Sequence, residues 1–194
     1  VPSGDVEAKI IQDGKESFLI GNGYHDHNWG NTPLQLLFDS WTWFRGKAGN
    51  KTVIAAELNT SSKRGGYKIP ILYIADNSGV IVNRFGDDGL FTKKTNRIEG
   101  LYNNKNEPFF SRIELLTKSG ETVTITGEKI IDHISLFDRT PTPLFLNWIV
   151  PLLKYGLKLS SIDPYYTRFN SKLHISINDS TFEGFGVLEI MDLK

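Results

Sequence analysis

Apolar and polar residues alternate with a period of two along most of the chain, which is the pattern of half-buried β-strands. Val123 and Ile125 alternate with three threonines, and the segment 172–178 alternates in the same way. Gly184 and Gly186 interrupt the last apolar segment and predict a bend or bulge there. The predicted strands cover residues 6–12, 16–20, 36–45, 52–59, 67–75, 80–82, 112–117, 122–126, 172–178 and 182–190.

Turn signals separate these strands at short intervals. Asp13-Gly14 predicts a tight hairpin between the first two strands, and the glycine-containing segments 46–51, 61–66, 76–79 and 118–121 predict further loops. Many short strands with few helical segments predict an all-β fold, either an antiparallel barrel or a sandwich. Aromatic residues make up 12% of the chain, and they favour a barrel because they suit an enclosed apolar interior.

One segment, 143–157, breaks the strand pattern. It is nearly all apolar, with Pro151 in its middle, and it is too short to span a bilayer. We expect a short helix over residues 144–155 that plugs or caps the barrel. The alternative is a lid that contacts the ligand or a membrane surface, which would give the protein a peripheral membrane contact.

Charge and composition exclude several classes of function. Lys plus Arg and Asp plus Glu both number 22, so there is no basic excess to bind the phosphates of a nucleic acid. Cysteine is absent, which excludes disulfides, thiolate catalysis and cysteine-bound zinc. No serine nucleophile elbow or glycine-rich phosphate loop occurs, and we expect no cofactor. The first residues carry neither an initiator Met nor a signal-peptide pattern, as expected of a chain that begins inside a longer protein.

The segment GYHDHNWG, residues 23–30, concentrates side chains that can carry chemistry. Half of the four histidines of the chain lie in it. If the segment is extended, successive side chains point to opposite faces, and neighbours on one face lie about 7 Å apart. One face then carries Tyr24, Asp26 and Asn28, and the other carries His25, His27 and Trp29.

Two kinds of site fit this segment. His25 and His27 form an H-x-H pair that could begin a metal site, but such a site needs a third ligand, and His133 and His174 lie in no ligand motif. We therefore expect no metal, with the imidazoles bonded to neighbouring strands or to a domain interface.

The second possibility is acid catalysis by Asp26. A carboxylic acid in an apolar cavity stays neutral because its charged form would lose its water, and it can then donate a proton or a hydrogen bond. Trp41 and Trp43 share a face of the next predicted strand, where their rings would line the cavity or stabilise a cation. In the structural alternative, Asp26 is ionised and pairs with Arg45 or with backbone N–H groups.

Five segments together resemble a known family. The sequence is similar to the hydroxyneurosporene synthase (carotenoid hydratase) family, with the related AttH-like proteins and the lipocalin-like fungal Diels–Alderases. The resemblance is strongest at GNGYHDHNWGN and covers most of the chain. The matching segments are PSGDV at 2–6, GNGYHDHNWGN at 21–31, SWTWFRG at 40–46, YYTRF at 165–169 and GFGVLEIMD at 184–192.

The resemblance implies a fold and a function. Residues 1–194 are expected to form one lipocalin-like barrel domain, the C-terminal half of a two-barrel protein whose N-terminal barrel is the partner. The expected ligand is an elongated apolar molecule, isoprenoid or polyketide-like, and the expected enzyme is a hydro-lyase or an isomerase or cyclase. A carrier or sensor that binds such a molecule without catalysis is the alternative.

The resemblance also assigns residue roles. Asp26 is the acid and Tyr24 its aromatic neighbour, with Asn28, Trp41, Trp43 and Arg45 at the substrate. His25, His27 and Trp29 are expected behind the site or at an interface. A further histidine and tryptophan that the family's proposed mechanism uses lie upstream of this motif and would precede Val1.

Overall fold

The structure, a computed structural model, describes residues 1–102, 108–135 and 164–193. The predicted helix over residues 144–155 lies outside the described residues, and so does the whole apolar segment 143–157. Within the described residues, no helix is both long enough and apolar enough to cross a bilayer.

The described residues form eleven strands and two short 3-10 helices. The 3-10 helices are Leu34–Leu36 and Ser62–Arg64. The strands are β1 Gly4–Gln12, β2 Lys15–Gly23, β3 Phe38–Ala48, β4 Lys51–Thr60, β5 Lys68–Asp76, β6 Gly79–Phe85, β7 Leu90–Tyr102, β8 Pro108–Thr117, β9 Thr122–Ser135, β10 Tyr165–Ile177 and β11 Ser180–Asp192.

The chain divides into two compact units, Val1–Asn31 and Thr32–Lys194. The first unit is the β1–β2 hairpin with the segment that follows it. As the sequence predicts, Asp13 and Gly14 form its turn, and both have positive φ, +50° and +76°, which a two-residue hairpin turn of type I′ requires.

The second unit is a nearly closed antiparallel barrel of nine strands in the order β6-β5-β4-β3-β11-β10-β9-β8-β7. The predicted all-β barrel is therefore confirmed. Several strands are longer than predicted: β3 continues through Gly46 to Ala48, because Gly46 pairs with Val53 on one side and with Gly186 on the other. β10 begins at Tyr165, earlier than the alternating segment that predicted it.

Inward-facing apolar side chains fill much of the barrel interior. Phe44, Leu188 and Phe169 are almost fully buried. The ring of Phe44 lies over the glycine pair Gly46 and Gly186, since a Cβ on either glycine would be 2.5 Å from Phe44 Cζ. The ring of Phe44 thus occupies the space that side chains on these two glycines would take. The other apolar core residues are Ala48, Val53, Ala55, Leu72, Ile74, Val82, Leu90, Ile113, Leu115, Val123, Ile125, Leu173, Ile175, Ile177 and Ile190.

Candidate functional site

The tyrosine–aspartate pair forms as predicted. The Tyr24 hydroxyl donates a hydrogen bond of 2.9 Å to Asp26 Oδ2. The backbone between them is also held, because His25 N donates to Val1 O at 3.1 Å and the Val1 amino group donates to His25 O at 2.8 Å. Residues 24–30 lie beyond the end of β2 and are not in a strand, yet the two side chains still meet.

The surroundings of Asp26 differ from the expectation of a cavity. Its side chain is exposed, whereas Tyr24 is half-buried. The physical reason is local: Asp26 lies in a segment that has left the hairpin, and no residue of Val1–Asn31 belongs to the apolar core. Within the described residues, nothing desolvates this carboxyl.

The remaining predicted residues of this segment are also exposed. Asn28, His25 and His27 are exposed, and Trp29 is 89% exposed. The described parts of the chain contain no group of three or more His, Asp or Glu side chains arranged to hold a metal ion. His174 is instead 3.8 Å from Glu183, on the polar side of β10 where the alternation placed it.

Trp41, Trp43 and Arg45 lie on β3 in the second unit, on the face opposite to Thr42 and Phe44. They therefore project from the outside of the barrel wall and are half-buried there. The predicted site residues thus fall in two units, with Tyr24 and Asp26 in the first. Trp43 Nε1 is buried without a hydrogen-bond partner.

Arg45 belongs to a row of charged groups on this outer face. Its Nη1 is 2.6 Å from Glu189 Oε1 on β11. Burial and the Glu189 carboxylate raise the pKa of the Tyr166 phenol to about 12. Next to it, Arg168 makes a two-pronged ion pair with Asp132, with its Nη2 2.6 Å from Oδ2.

The interior of the barrel holds a polar site that the sequence prediction missed. Glu57 on β4 is only 3% exposed. Its carboxylate is 2.7 Å from Lys94 Nζ and accepts a hydrogen bond from the Thr92 hydroxyl, both on β7. Burial alone would raise the pKa of Glu57, but Lys94 and Thr92 lower it below its ordinary value. The pair connects β4 to β7, which is an edge strand of the sheet.

Strand register places Glu57 in an inward-facing row that crosses five strands. Glu57 pairs with Thr42, Thr42 with Ile190, Ile190 with Thr167, and Thr167 with His133. The next row towards the same end of the barrel consists of Asn59, Ser40, Asp192, Tyr165 and Ser135. We call these two rows the polar rows; Ile190 is their single apolar member, whereas the row below them contains Ala55, Phe44, Leu188 and Phe169.

The polar rows are hydrogen-bonded and include an uncharged histidine. His133 Nδ1 is 2.7 Å from Thr167 Oγ1, and its ring stacks on Tyr165 at a centroid distance of 4.9 Å. Burial lowers the pKa of His133, because the charged ring would lose its water. Thr42 is 4% exposed, and its Oγ1 has no hydrogen-bond partner within the part of the chain that the structure describes. The sequence did contain a signal for the inward position of Glu57. Glu57 follows Val53 and Ala55 at a spacing of two residues, and side chains at that spacing on a strand point to the same face.

Comparison with known proteins places the fold. No family model and no curated protein sequence matches the chain. Solved protein structures do match the chain. CghA with Sch210972 matches 98% of this chain and 52% of its own, at a TM-score of 0.59 and 10% identity. The chain has a lipocalin-like fold.

Two further solved structures share this fold. Kievitone hydratase from Nectria haematococca has a TM-score of 0.56 and 12% identity, over 98% of this chain and 51% of that one. An AttH-type protein from Nitrosomonas europaea has a TM-score of 0.54 and 11% identity, over 96% and 48%. The chain therefore spans about half the length of the solved structures that it matches.

Proposed function

We propose that this chain is the ligand-binding barrel half of a hydratase- or cyclase-type enzyme that acts on an elongated apolar molecule, isoprenoid or polyketide-like. The carrying observation is the hydrogen bond from Tyr24 to Asp26. A phenol that donates to one carboxyl oxygen fixes the orientation of the other, and an oriented carboxyl can deliver a proton or a hydrogen bond to a substrate. The lipocalin-like fold supports an apolar ligand, and one of the solved structures sharing it is a hydratase by name.

In the proposed mechanism, Asp26 protonates a carbon–carbon double bond or donates to a carbonyl. Aromatic rings then stabilise the developing positive charge, each by about 0.5–2 kcal/mol. In a hydratase, water adds to the cationic carbon and its excess proton returns to the Asp26 carboxylate; in a cyclase, a second double bond of the ligand attacks that carbon and a carbon-bound proton is lost to the carboxylate. Tyr24 is the predicted ring that lies in the same unit as Asp26, where it is half-buried and bonded to the carboxyl. The acid step requires that Asp26 loses contact with bulk water, which in this proposal a further domain of the same protein provides.

Asp26→Asn tests the acid role, with Asp13→Asn as its matched control. Asp13 is an exposed aspartate in the same unit, and asparagine tolerates its positive φ. In the source organism we expect Asp26→Asn to reduce product formation at least about 100-fold, the usual loss when a general acid is removed. Mass spectrometry of cell extracts should show an apolar precursor accumulating, lighter than the lost product by one water for a hydratase, or equal in mass for a cyclase.

Unchanged products in Asp26→Asn, combined with product loss when the whole gene is deleted, would contradict the acid role. That result would favour the carrier or sensor, which needs the barrel and not the carboxyl.

We also propose that the hairpin packs against a further barrel domain of the same protein. Both faces of β1–β2 carry exposed large apolar residues, and Phe18 and Ile20 are 74% and 89% exposed. A two-stranded hairpin is marginally stable by itself, and exposed apolar surface on this scale marks an interaction site. The solved structures that the chain matches are about twice as long as the chain, so those proteins are long enough to contain such a domain. The other exposed apolar residues of the hairpin are Val6, Ile10, Ile11 and Leu19.

Hydrogen exchange tests this packing. We expect amides in Gly4–Gly23 to exchange rapidly in the 194-residue chain and much more slowly in a longer protein that includes the upstream reading frame. β10, inside the barrel sheet, serves as the internal reference and should exchange equally in both. Equal exchange of the hairpin in the two proteins would contradict the proposal.

A further inference from the structure

In the polar rows of the barrel interior, the Thr42 hydroxyl has no hydrogen-bond partner among the described residues. Thr42 Oγ1 is buried, and a buried hydroxyl without a hydrogen bond destabilises the fold because it has lost its bonds to water. Its neighbours across the strands are Glu57 and Ile190. The Glu57 carboxylate bonds to Lys94 and Thr92 and not to Thr42, and Ile190 has no polar side-chain atom. The missing partner of Thr42 must therefore come from outside its own row.

The charges around Thr42 indicate which kind of ligand group could bond to its hydroxyl. The Glu57 carboxylate is neutralised by Lys94, and burial keeps the His133 ring in its neutral form near pH 7 because it lowers the ring's pKa. Asp192, in the second row, adds a carboxyl group and no cation. An anionic head group such as a carboxylate or phosphate would meet no unpaired cation among these residues. A neutral carbonyl or hydroxyl would meet hydrogen-bonding groups.

The polar rows also have the right position along the barrel. They lie directly beyond the apolar row of Phe44, Leu188 and Phe169, towards the end where the β3 strand begins. Burial decreases along β3 in that direction, since Ser40 in the second row is half-buried while Thr42 and Phe44 are buried. Among the described residues, the polar rows therefore lie between this end of the barrel and the apolar core.

We propose that the polar rows bind the neutral oxygenated group of an otherwise apolar ligand, with Thr42 as the hydrogen-bonding residue. This inference rests on the proposed function and deepens it, because it names the part of the ligand that the barrel interior recognises. It is separate from the acid role of Asp26, which lies in the other unit. Thr42 is a binding residue here and takes no part in proton transfer.

Two fluorescent probes test the proposal: Prodan, a dimethylaminonaphthalene with one ketone, and dimethylaminonaphthalene without the ketone. In the 194-residue chain we expect Thr42→Val, which keeps the shape and removes the hydroxyl, to weaken Prodan binding about 5- to 10-fold, the equivalent of one hydrogen bond. The probe without the ketone should bind equally well to Thr42→Val and wild type. Thr42→Ser, which keeps the hydroxyl, should retain Prodan binding.

Thr117→Val is the matched control. Thr117 is also buried, at the opposite end of the barrel, and its hydroxyl bonds within the turn to Ser119 and Glu121. We expect it to bind both probes as the wild type does.

Three results would overturn the proposal. Equal Prodan binding by Thr42→Val and wild type would show that the hydroxyl contacts no ligand, and it would leave the proposed function standing. Equal weakening of both probes would assign Thr42 a packing role alone. Failure of wild type to bind either probe would remove the interior site and, with it, the apolar binding on which the proposed function depends.

Discussion

Lys94→Met is expected to destabilise the barrel by about 3–5 kcal/mol, the usual cost of leaving one partner of a buried ion pair uncompensated. The variant keeps the length and apolar stem of the side chain but removes the ammonium 2.7 Å from Glu57 Oε1. Glu57 is 3% exposed, so water cannot replace the lost partner. Urea unfolding followed by tryptophan fluorescence would measure the change.

The destabilisation by Lys94→Met should depend on pH in a defined direction. In the wild type, Lys94 and Thr92 overcome the effect of burial and hold the pKa of Glu57 below 4.5, so the pair stabilises the fold above about pH 4.5 and less as pH falls through the folded pKa. In the variant, burial acts without the ammonium and raises the pKa of Glu57, so the penalty grows as pH rises above 4.5. The stability gap between the two proteins should therefore narrow as pH falls from 7 to 4.

Two further variants separate the causes. Lys172→Met removes the ammonium of an exposed ion pair with Glu128 and should leave stability nearly unchanged, because exposed pairs contribute little. The double variant Glu57→Leu with Lys94→Met should recover most of the loss, since replacing both charges by apolar groups leaves none buried and unpaired. A gap that is independent of pH would show that Glu57 is not the source of the penalty.

Most strands of the barrel could be predicted from the sequence because their signal is local, but no strand was predicted over β7, Leu90–Tyr102. Val123 and Ile125 face the core and the threonines between them are less buried, as the alternation requires. Leu173 and Ile175 are buried, while His174 between them is exposed. The Asp13-Gly14 turn is equally local, because two residues in the left-handed region are sufficient to define it.

The interior ion pair could not be assigned from the sequence, because its partners are far apart in the chain. Glu57 and Lys94 meet only when β7 comes to lie beside β4, and these strands are not neighbours in the hydrogen-bonded order. The spacing of two residues from Val53 and Ala55 could show that Glu57 faces inward. It could not show which strand would supply the cation.

The exposure of Asp26 could not be predicted for a different reason. A period-two argument states which side chains share a face of a strand; Tyr24 does bond to Asp26, although residues 24–30 are not in a strand. It does not state what covers that face, since covering groups come from elements distant in sequence. Trp41 and Trp43 illustrate the same point: the alternation gives their common face, whereas the side of the barrel wall depends on Thr42 and Phe44 facing the core.

Gly186→Val is expected to prevent the barrel from closing in its present register. Gly186 lies in the middle of strand β11 and pairs with Gly46 on β3 and with Ser171 on β10, so fraying at a strand end cannot relieve a clash. A Cβ there would overlap the carbonyl oxygen of Arg45 and lie 2.5 Å from Phe44 Cζ. The first obstacle is backbone and the second is a ring that is fully buried, so neither can move cheaply, and the cost should exceed the about 1–3 kcal/mol usual for overpacking.

A double-mutant cycle with the smaller substitution identifies which obstacle dominates. Gly186→Ala should destabilise the barrel in urea unfolding, and its cost should be smaller in a Phe44→Leu background, because the shorter side chain leaves room above the glycine pair. Gly21→Ala in β2 is the matched control, since a Cβ there meets no atom within 4 Å. If the costs of Gly186→Ala and Phe44→Leu simply add, the ring does not occupy the space above Gly186. The packing of Phe44 on the glycine pair would then be wrong, and the Arg45 carbonyl alone would account for the requirement for glycine.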